Sequence, residues 1–217
     1  SSLVGLYVGR IAAEKNLEVI VKTFSALASR FPDFKGVFVG DGPKLKELKL
    51  RHPEFIYAGV QYGEQLARHY ASADLFVFPS VTETFGNVTL EAMASGLAVV
   101  AYDYAAARQH IVDGRNGYVA GFDNEAAFLA KATAMAADTL LPLLREEARR
   151  SARKVRWKKV VKRFQKQLVE MIERGGRDVA DLELPDSLGL DELTETEPFF
   201  PERVVRSKLD EASDTLK

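Results

Sequence analysis

The chain has 217 residues, a formal net charge of −1, 47% hydrophobic residues and 28% charged residues. That is the balance of an ordinary globular protein, long enough for one sizeable α/β domain, with no global field to recruit nucleic acid. It contains no cysteine, which excludes disulfides and thiolate metal sites and fits a reducing cytoplasm, and no apolar run approaches the roughly 18–20 residues of a membrane span.

Taken in order, apolar runs alternate with helical periodicity. Strands are predicted over Leu3–Val8, Gly36–Val39, Phe55–Ala58, Leu75–Phe78 and Leu97–Ala101, with a short apolar piece at Tyr118 and Val119. Helices are predicted over Asn16–Arg30, Lys44–Arg51, Glu64–Ala73, Asn87–Ser95 and Ala105–Val112. This alternation implies βαβ units and a Rossmann-like parallel sheet covered by helices on both faces, with ligands beyond the carboxyl ends of the strands. The loops after the strands therefore carry the chemistry.

The first such loop, Gly9-Arg10-Ile11-Ala12-Ala13-Glu14-Lys15-Asn16, combines a glycine for close backbone approach with two cations, and Asn16 is expected to cap the helix that follows. It is neither a dinucleotide fingerprint nor a P-loop. The second, Val39-Gly40-Asp41-Gly42-Pro43, reads as a tight turn with Pro43 opening the next helix. The third, Ala58-Gly59-Val60-Gln61-Tyr62, has little side-chain signature. Each is also compatible with a plain connecting loop.

The most informative stretch is Pro79 to Gly96. It runs from a buried strand, through a tight turn bearing Glu83, into a short helix that carries Glu91 about one turn in and ends at Gly96. Helical side chains lean toward the N-terminus, so Glu91 can reach back toward the helix start. The amides of Gly86, Asn87, Val88 and Thr89 make that start an anion site, with two carboxylates beside it suited to hydroxyl groups. Phosphate flanked by hydroxyls is the pattern of a nucleotide sugar. Spacing alone is equally satisfied by a solvated helix residue and an ordinary turn residue.

Glu83, Phe85-Gly86 and Glu91-Ala92-Met93-Ala94-Ser95-Gly96 together resemble the E-x7-E signature of the retaining glycosyltransferases of family 4, which have the two-Rossmann-domain GT-B fold. Gly9-Arg10 followed by Glu14-Lys15-Asn16, the Gly40-Asp41-Gly42-Pro43 turn, Tyr70 with Ala73-Asp74, and Gly96-Leu97-Ala98-Val99-Val100 match further motifs of that family in the same order. Ala98 stands where the family has Pro, and the segment Tyr102–Ile111 lacks its Gly-Gly and has Gln109 where an acid is common.

The resemblance implies that Arg10 and Lys15, beside Gly9 and Gly40, hold the diphosphate, and that the base lies along the backbone near Val60. It further implies that Glu83 with Phe85, Gly86 and Asn87 holds the sugar, the amides through Val88 and Thr89 hold phosphate, and Glu91 holds the ribose. Arg10, Lys15 and Glu83 are the residues expected to act in catalysis; no general base is assigned. No cofactor is expected beyond the nucleotide diphosphate sugar donor, with a slight lean to GDP-mannose. His52, His69 and His110 are scattered and there is no Asp-x-Asp, so metal independence is expected.

The chain opens directly on a strand, and the resemblance implies a preceding acceptor domain that this chain lacks; the chain alone is expected to transfer no sugar. Helices are predicted from Glu125 to about Arg174, and Leu140 to Arg177 is markedly basic, with an apolar stripe interleaved from Val155 to Leu168. That stripe is expected to pack on its own domain, with peripheral contact to an anionic membrane at the inner face as the second reading. The donor domain is expected over 1–175, and 176–217 as an acidic, weakly structured tail. Two other readings stay open: a non-catalytic nucleotide-sugar-binding module, and another GT-B enzyme such as a nucleotide-sugar epimerase or a phosphorylase.

Overall fold

The computed structural model describes residues 2–83, 86–155 and 157–174. Phe85 and the expected acidic tail lie outside them. The chain divides into two compact units, the first running through Ala152 and the second starting at Arg153.

In the first unit, strands β1 (Val4–Val8), β2 (Lys35–Val39), β3 (Ile56–Gly59), β4 (Leu75–Phe78), β5 (Ala98–Tyr102) and β6 (Tyr118–Ala120) form one six-stranded sheet in the order β3-β2-β1-β4-β5-β6. Every pairing is parallel. Helices α1 (Leu17–Arg30), α2 (Leu45–Arg51), α3 (Gly63–Ser72), α4 (Asn87–Ala94), α5 (Ala105–His110), α6 (Glu125–Ala136) and α7 (Leu141–Ala152) complete the unit. The expected strands and helices are all present, with ends displaced by one or two residues. A short 3-10 turn at Ala13–Lys15 was not anticipated.

The strand order reverses between β1 and β4. From β1 the chain turns one way to β2, and from β4 the other way to β5, so right-handed crossovers put α1 and α4 on opposite faces. Accordingly α1 packs with α6, and α4 with α7. The loops leaving β1 and β4 separate at their carboxyl ends and leave a crevice there.

The core explains why these strands carry no polar alternation. All of β4 and β5 is buried, as sheets covered on both faces require. Beside β1 and β2, Tyr7, Phe24, Phe34, Phe38 and Phe55 form an aromatic cluster with ring centroids 5.3–5.9 Å apart.

At the amino ends of the strands, Asp74 accepts from the Val4 amide (2.9 Å) and pairs with Arg145 of α7 (2.6 Å). Arg145 also donates to the carbonyls of Gly96 and Ala73. Helix α4 ends as expected at Gly96, whose amide bonds to Met93 while that of Leu97 bonds to Ala92, a Schellman closure.

Two local expectations need correction. Asn16 sits at the start of α1 but in a left-handed conformation, with no capping bond from its side chain. Pro43 lies in the turn before α2, whose first residue is Leu45, because the Lys44 amide is drawn to the Ile11 carbonyl.

The second unit contains α8 (Trp157–Arg174), on which Phe164, Leu168 and Met171 are exposed apolar residues at helical spacing. Among the described residues no single helix is long and apolar enough to cross a membrane.

Candidate functional site

The rim of the crevice is built from main chain. The Gly9 amide bonds to Val39, that of Ile11 to Asp41, that of Lys44 back to Ile11, and that of Gly40 to Gly59, all at 2.8–3.0 Å. The loops after β1, β2 and β3 are thus laced into one surface. Gly40 is required there: at a φ of 135°, a Cβ would lie 2.0 Å from the Gly9 carbonyl oxygen. Val60, just past β3, stands exposed on this rim.

On the other side, Gly86 takes a left-handed conformation (φ 62°) and turns the chain into α4; a Cβ would meet that of Ala106 at 2.3 Å. Asn87 and Val88 open the helix, where the first amides have no intrahelical partner. Thr89 differs from its expected role, because its amide already bonds to the Gly86 carbonyl at 2.9 Å and its side chain is buried.

The two expected cations separate in character. The Arg10 side chain is 67% exposed and only loosely paired with Glu14 at 3.5 Å. Lys15, placed by the 3-10 turn, reaches across the crevice to the segment after β4. Its Nζ donates to Glu83 Oε1 (2.6 Å), the Thr82 carbonyl (3.0 Å) and Ser80 Oγ (3.3 Å). Lys15 and Glu83 are only 18% and 16% exposed, so this ion pair is shielded from solvent screening. Buried Ser80 also donates to Glu83 Oε1 at 3.2 Å. The Thr82 hydroxyl donates to the Glu14 carbonyl, tying this segment to the 3-10 turn.

Glu91, on the next turn of α4, does not stand free. Its Oε2 accepts from the hydroxyl of Tyr70, the buried residue of α3, at 2.9 Å. Burial, then the Glu91 charge and this bond, push the Tyr70 phenol far above its ordinary range, so it remains a donor. The Tyr7 phenol, which donates to the Arg10 carbonyl, is likewise pushed up by burial and then by Glu83 and Glu14.

Beneath the start of α4 lies a small pocket lined by Phe78, Ser80, Glu83, Thr89, Tyr102 and Tyr104. The buried Tyr102 hydroxyl has no hydrogen-bond partner among the described residues, and burial raises it to about 12.

The crevice therefore brings together Gly9, Arg10, Lys15, Gly40, Val60, Glu83, Gly86, Asn87, Val88, Thr89 and Glu91 at one end of the sheet, on the loops after β1 to β4 and the start of α4. Sequence reading missed Ser80, Tyr7 and the Tyr70–Glu91 bond. For Tyr70 the available signals were its place in the motif with Ala73-Asp74 and its apolar spacing with Leu66 and Ala73 on the predicted helix, neither of which points to Glu91.

Such a site can bind an oligoanion through Arg10 and the α4 amides, and hydroxyl groups through its carboxylates. Among the described residues, no three His, Cys, Asp or Glu side chains cluster in a way that could hold a metal.

Comparison with known proteins gives consistent matches. Over 98 residues the chain is 41% identical to the sulfoquinovosyl transferase SQD2 of Arabidopsis thaliana, covering 44% of this chain and 18% of that protein. Over 133 residues it is 38% identical to the GDP-mannose-dependent alpha-mannosyltransferase of Mycolicibacterium smegmatis, covering 61% of this chain and 34% of that protein. The chain thus spans about a third or less of these relatives.

The fold matches that of the pneumococcal O-GlcNAc transferase GtfA, solved with UDP and GlcNAc (TM-score 0.67, 22% identity, 78% of this chain and 36% of that one). It also matches the C-terminal domain of the glycosyl transferase group 1 family protein LpcC from Francisella tularensis (TM-score 0.60, 25% identity, 68% of this chain and 83% of that one). The family described as Glycosyl transferases group 1 matches residues 2–138, and to that family the chain belongs.

Proposed function

We propose that this chain is the donor-binding half of a retaining GT-B glycosyltransferase, which transfers a hexose from a nucleotide diphosphate sugar to an acceptor held by a preceding domain. The observation that carries the reading is the convergence of two cations, a helix N-terminus and two carboxylates on the crevice where the strand order reverses. Arg10, Lys15 and the amides of Asn87 and Val88 stabilise the diphosphate as charge develops on it. Glu83, with the Gly86–Asn87 turn, orients the sugar, and Glu91 the ribose. The donor domain extends over 1–175.

Mannose as the sugar is supported by the name of the mycobacterial relative, and a lipid or glycan acceptor by the segment Tyr102–Ala107, a variant resembling lipid-glycosylating members. The enzyme works in the cytoplasm. Exposed Lys162 and Lys166, with Phe164, Leu168 and Met171, support contact of α8 with an anionic membrane at its inner face.

The test is a thermal-shift panel of GDP, UDP, ADP and their sugars. A ligand at a hundredfold excess over its Kd adds about 2.7 kcal/mol of apparent stability. A rise in melting temperature with one diphosphate series is the expected result; no response to any of them overturns the reading.

A further inference from the structure

An ammonium has three N–H donors, and that of Lys15 faces three protein acceptors: Glu83 Oε1, the Thr82 carbonyl and Ser80 Oγ. Glu83 Oε1 in turn receives both Lys15 and Ser80. All three Lys15 donors and the Oε1 oxygen of Glu83 are therefore engaged inside the protein, in a place where both side chains are mostly shielded from water. A diphosphate entering between Arg10 and the start of α4 meets Arg10 available and Lys15 already taken. For Lys15 to turn to it, the contact with Glu83 has to open, and the opening frees Glu83 Oε1 to accept from another donor such as a hydroxyl.

We propose that Glu83 is an internal competitor for Lys15. It holds the ammonium until a diphosphate takes it, and the exchange releases Glu83 to the sugar. Ser80 is the positioning residue of the exchange, since it touches both partners and can retain either one. The inference rests on the reading of this crevice as a diphosphate site. It makes one counter-intuitive claim: an acid that helps to bind the sugar-bearing donor weakens binding of the bare nucleoside diphosphate.

Calorimetric titration of the full chain with GDP, UDP and ADP, and with GMP, UMP and AMP, tests this in the unmodified protein, Glu83→Gln, Lys15→Met and the double variant. Glu83→Gln frees Lys15 from one charged hydrogen bond and is expected to tighten whichever diphosphate binds by about tenfold. The monophosphate, which carries no β-phosphate for Lys15, is expected to keep its affinity.

On the Lys15→Met background the Glu83 substitution is expected to change diphosphate affinity by less than about twofold, within the usual tolerance for uncoupled changes. Equal tightening with and without Lys15 would mean plain charge repulsion by Glu83 and overturns the exchange. Unchanged or weaker binding in Glu83→Gln overturns it too, because Lys15 would then stay with its partners. Failure of the unmodified chain to bind any diphosphate removes the site reading itself, a distinct result. If melting curves show that Glu83→Gln does not fold, Glu83→Asp, which lengthens the Lys15 contact, is expected to tighten the diphosphate in the same direction by a smaller factor; no change there overturns the exchange.

Discussion

Replacing Tyr70 with Phe removes one hydroxyl and leaves the ring in place against Phe76, whose centroid lies 6.0 Å away. The lost bond is the 2.9 Å contact to Glu91 Oε2. A hydrogen bond to a charged group contributes roughly 1.5–3 kcal/mol. Phe leaves no stranded donor on α3, and water can reach half-buried Glu91, so the net stability loss should be about 1 kcal/mol, or a fall of about 2–4 °C in melting temperature for a domain of this size.

The effect on binding is separate. Without Tyr70 the Glu91 side chain regains rotamer freedom, and fixing it again when ligand arrives costs about 1 kcal/mol, a loss of about fivefold in affinity. Because Glu91 is assigned to the ribose, nucleoside diphosphate and nucleotide sugar should weaken together. Titration of both ligands against Tyr70→Phe measures this, with Glu91→Gln as the larger reference at about 10- to 150-fold. A lower melting temperature with unchanged binding would mean that the Tyr70–Glu91 bond serves only the packing of α3 on α4. A loss confined to the sugar-bearing ligand would place Glu91 on the sugar and refute the division of labour between the two carboxylates.

Gly86→Ala forces a left-handed alanine, costing about 1–2 kcal/mol, and adds the overlap with Ala106; the double variant Gly86→Ala/Ala106→Gly should recover only the overlap, as urea denaturation would show. Arg145→Ala strands the Asp74 carboxylate and should cost about 1–3 kcal/mol of stability, while nucleotide affinity at the far end of the sheet stays within about twofold. Alkali should destabilise the fold: Tyr57 and Tyr102, each raised by burial to about 12, keep their protons when the unfolded chain loses them. Stability is then full below about pH 10 and declines as pH rises toward 12, which urea midpoints and phenolate absorbance across that window would check.

The sheet and its helices were legible because each strand is a short apolar run of its own, as Leu75–Phe78 is, and each helix has its own period. The crevice was legible because Glu83, Gly86 and Glu91 sit close together in sequence, the last two at and just inside the start of α4. What could not be read was the wiring across the fold. Lys15 and Glu83 are 68 positions apart, and Tyr70 and Glu91 are 21 apart on different helices. Nothing local distinguishes a lysine aimed at a ligand from one aimed at a carboxylate. The same limit explains Pro43, which obeys a local rule for helix starts until the Ile11 carbonyl draws the next amide out of the helix. Asn16 fails similarly, since the 3-10 turn before it sets a left-handed backbone at which its side chain makes no cap.

The lacing of the first three loops has a consequence for redesign. Its bonds run between amides and carbonyls, so the shape of that edge depends on chain length and on glycines, and hardly on which side chains project from it. Arg10 and Val60 both project outward from this edge. A library that varies those two positions at constant loop length should yield folded proteins in nearly every clone, with altered ligand preference as the variable. A single inserted residue between Gly9 and Ile11, by contrast, moves Ile11 away from both of its partners, Asp41 and Lys44, and should open the edge between the first two loops. Substitution and insertion along the same edge thus separate the inheritance of shape from the inheritance of selectivity.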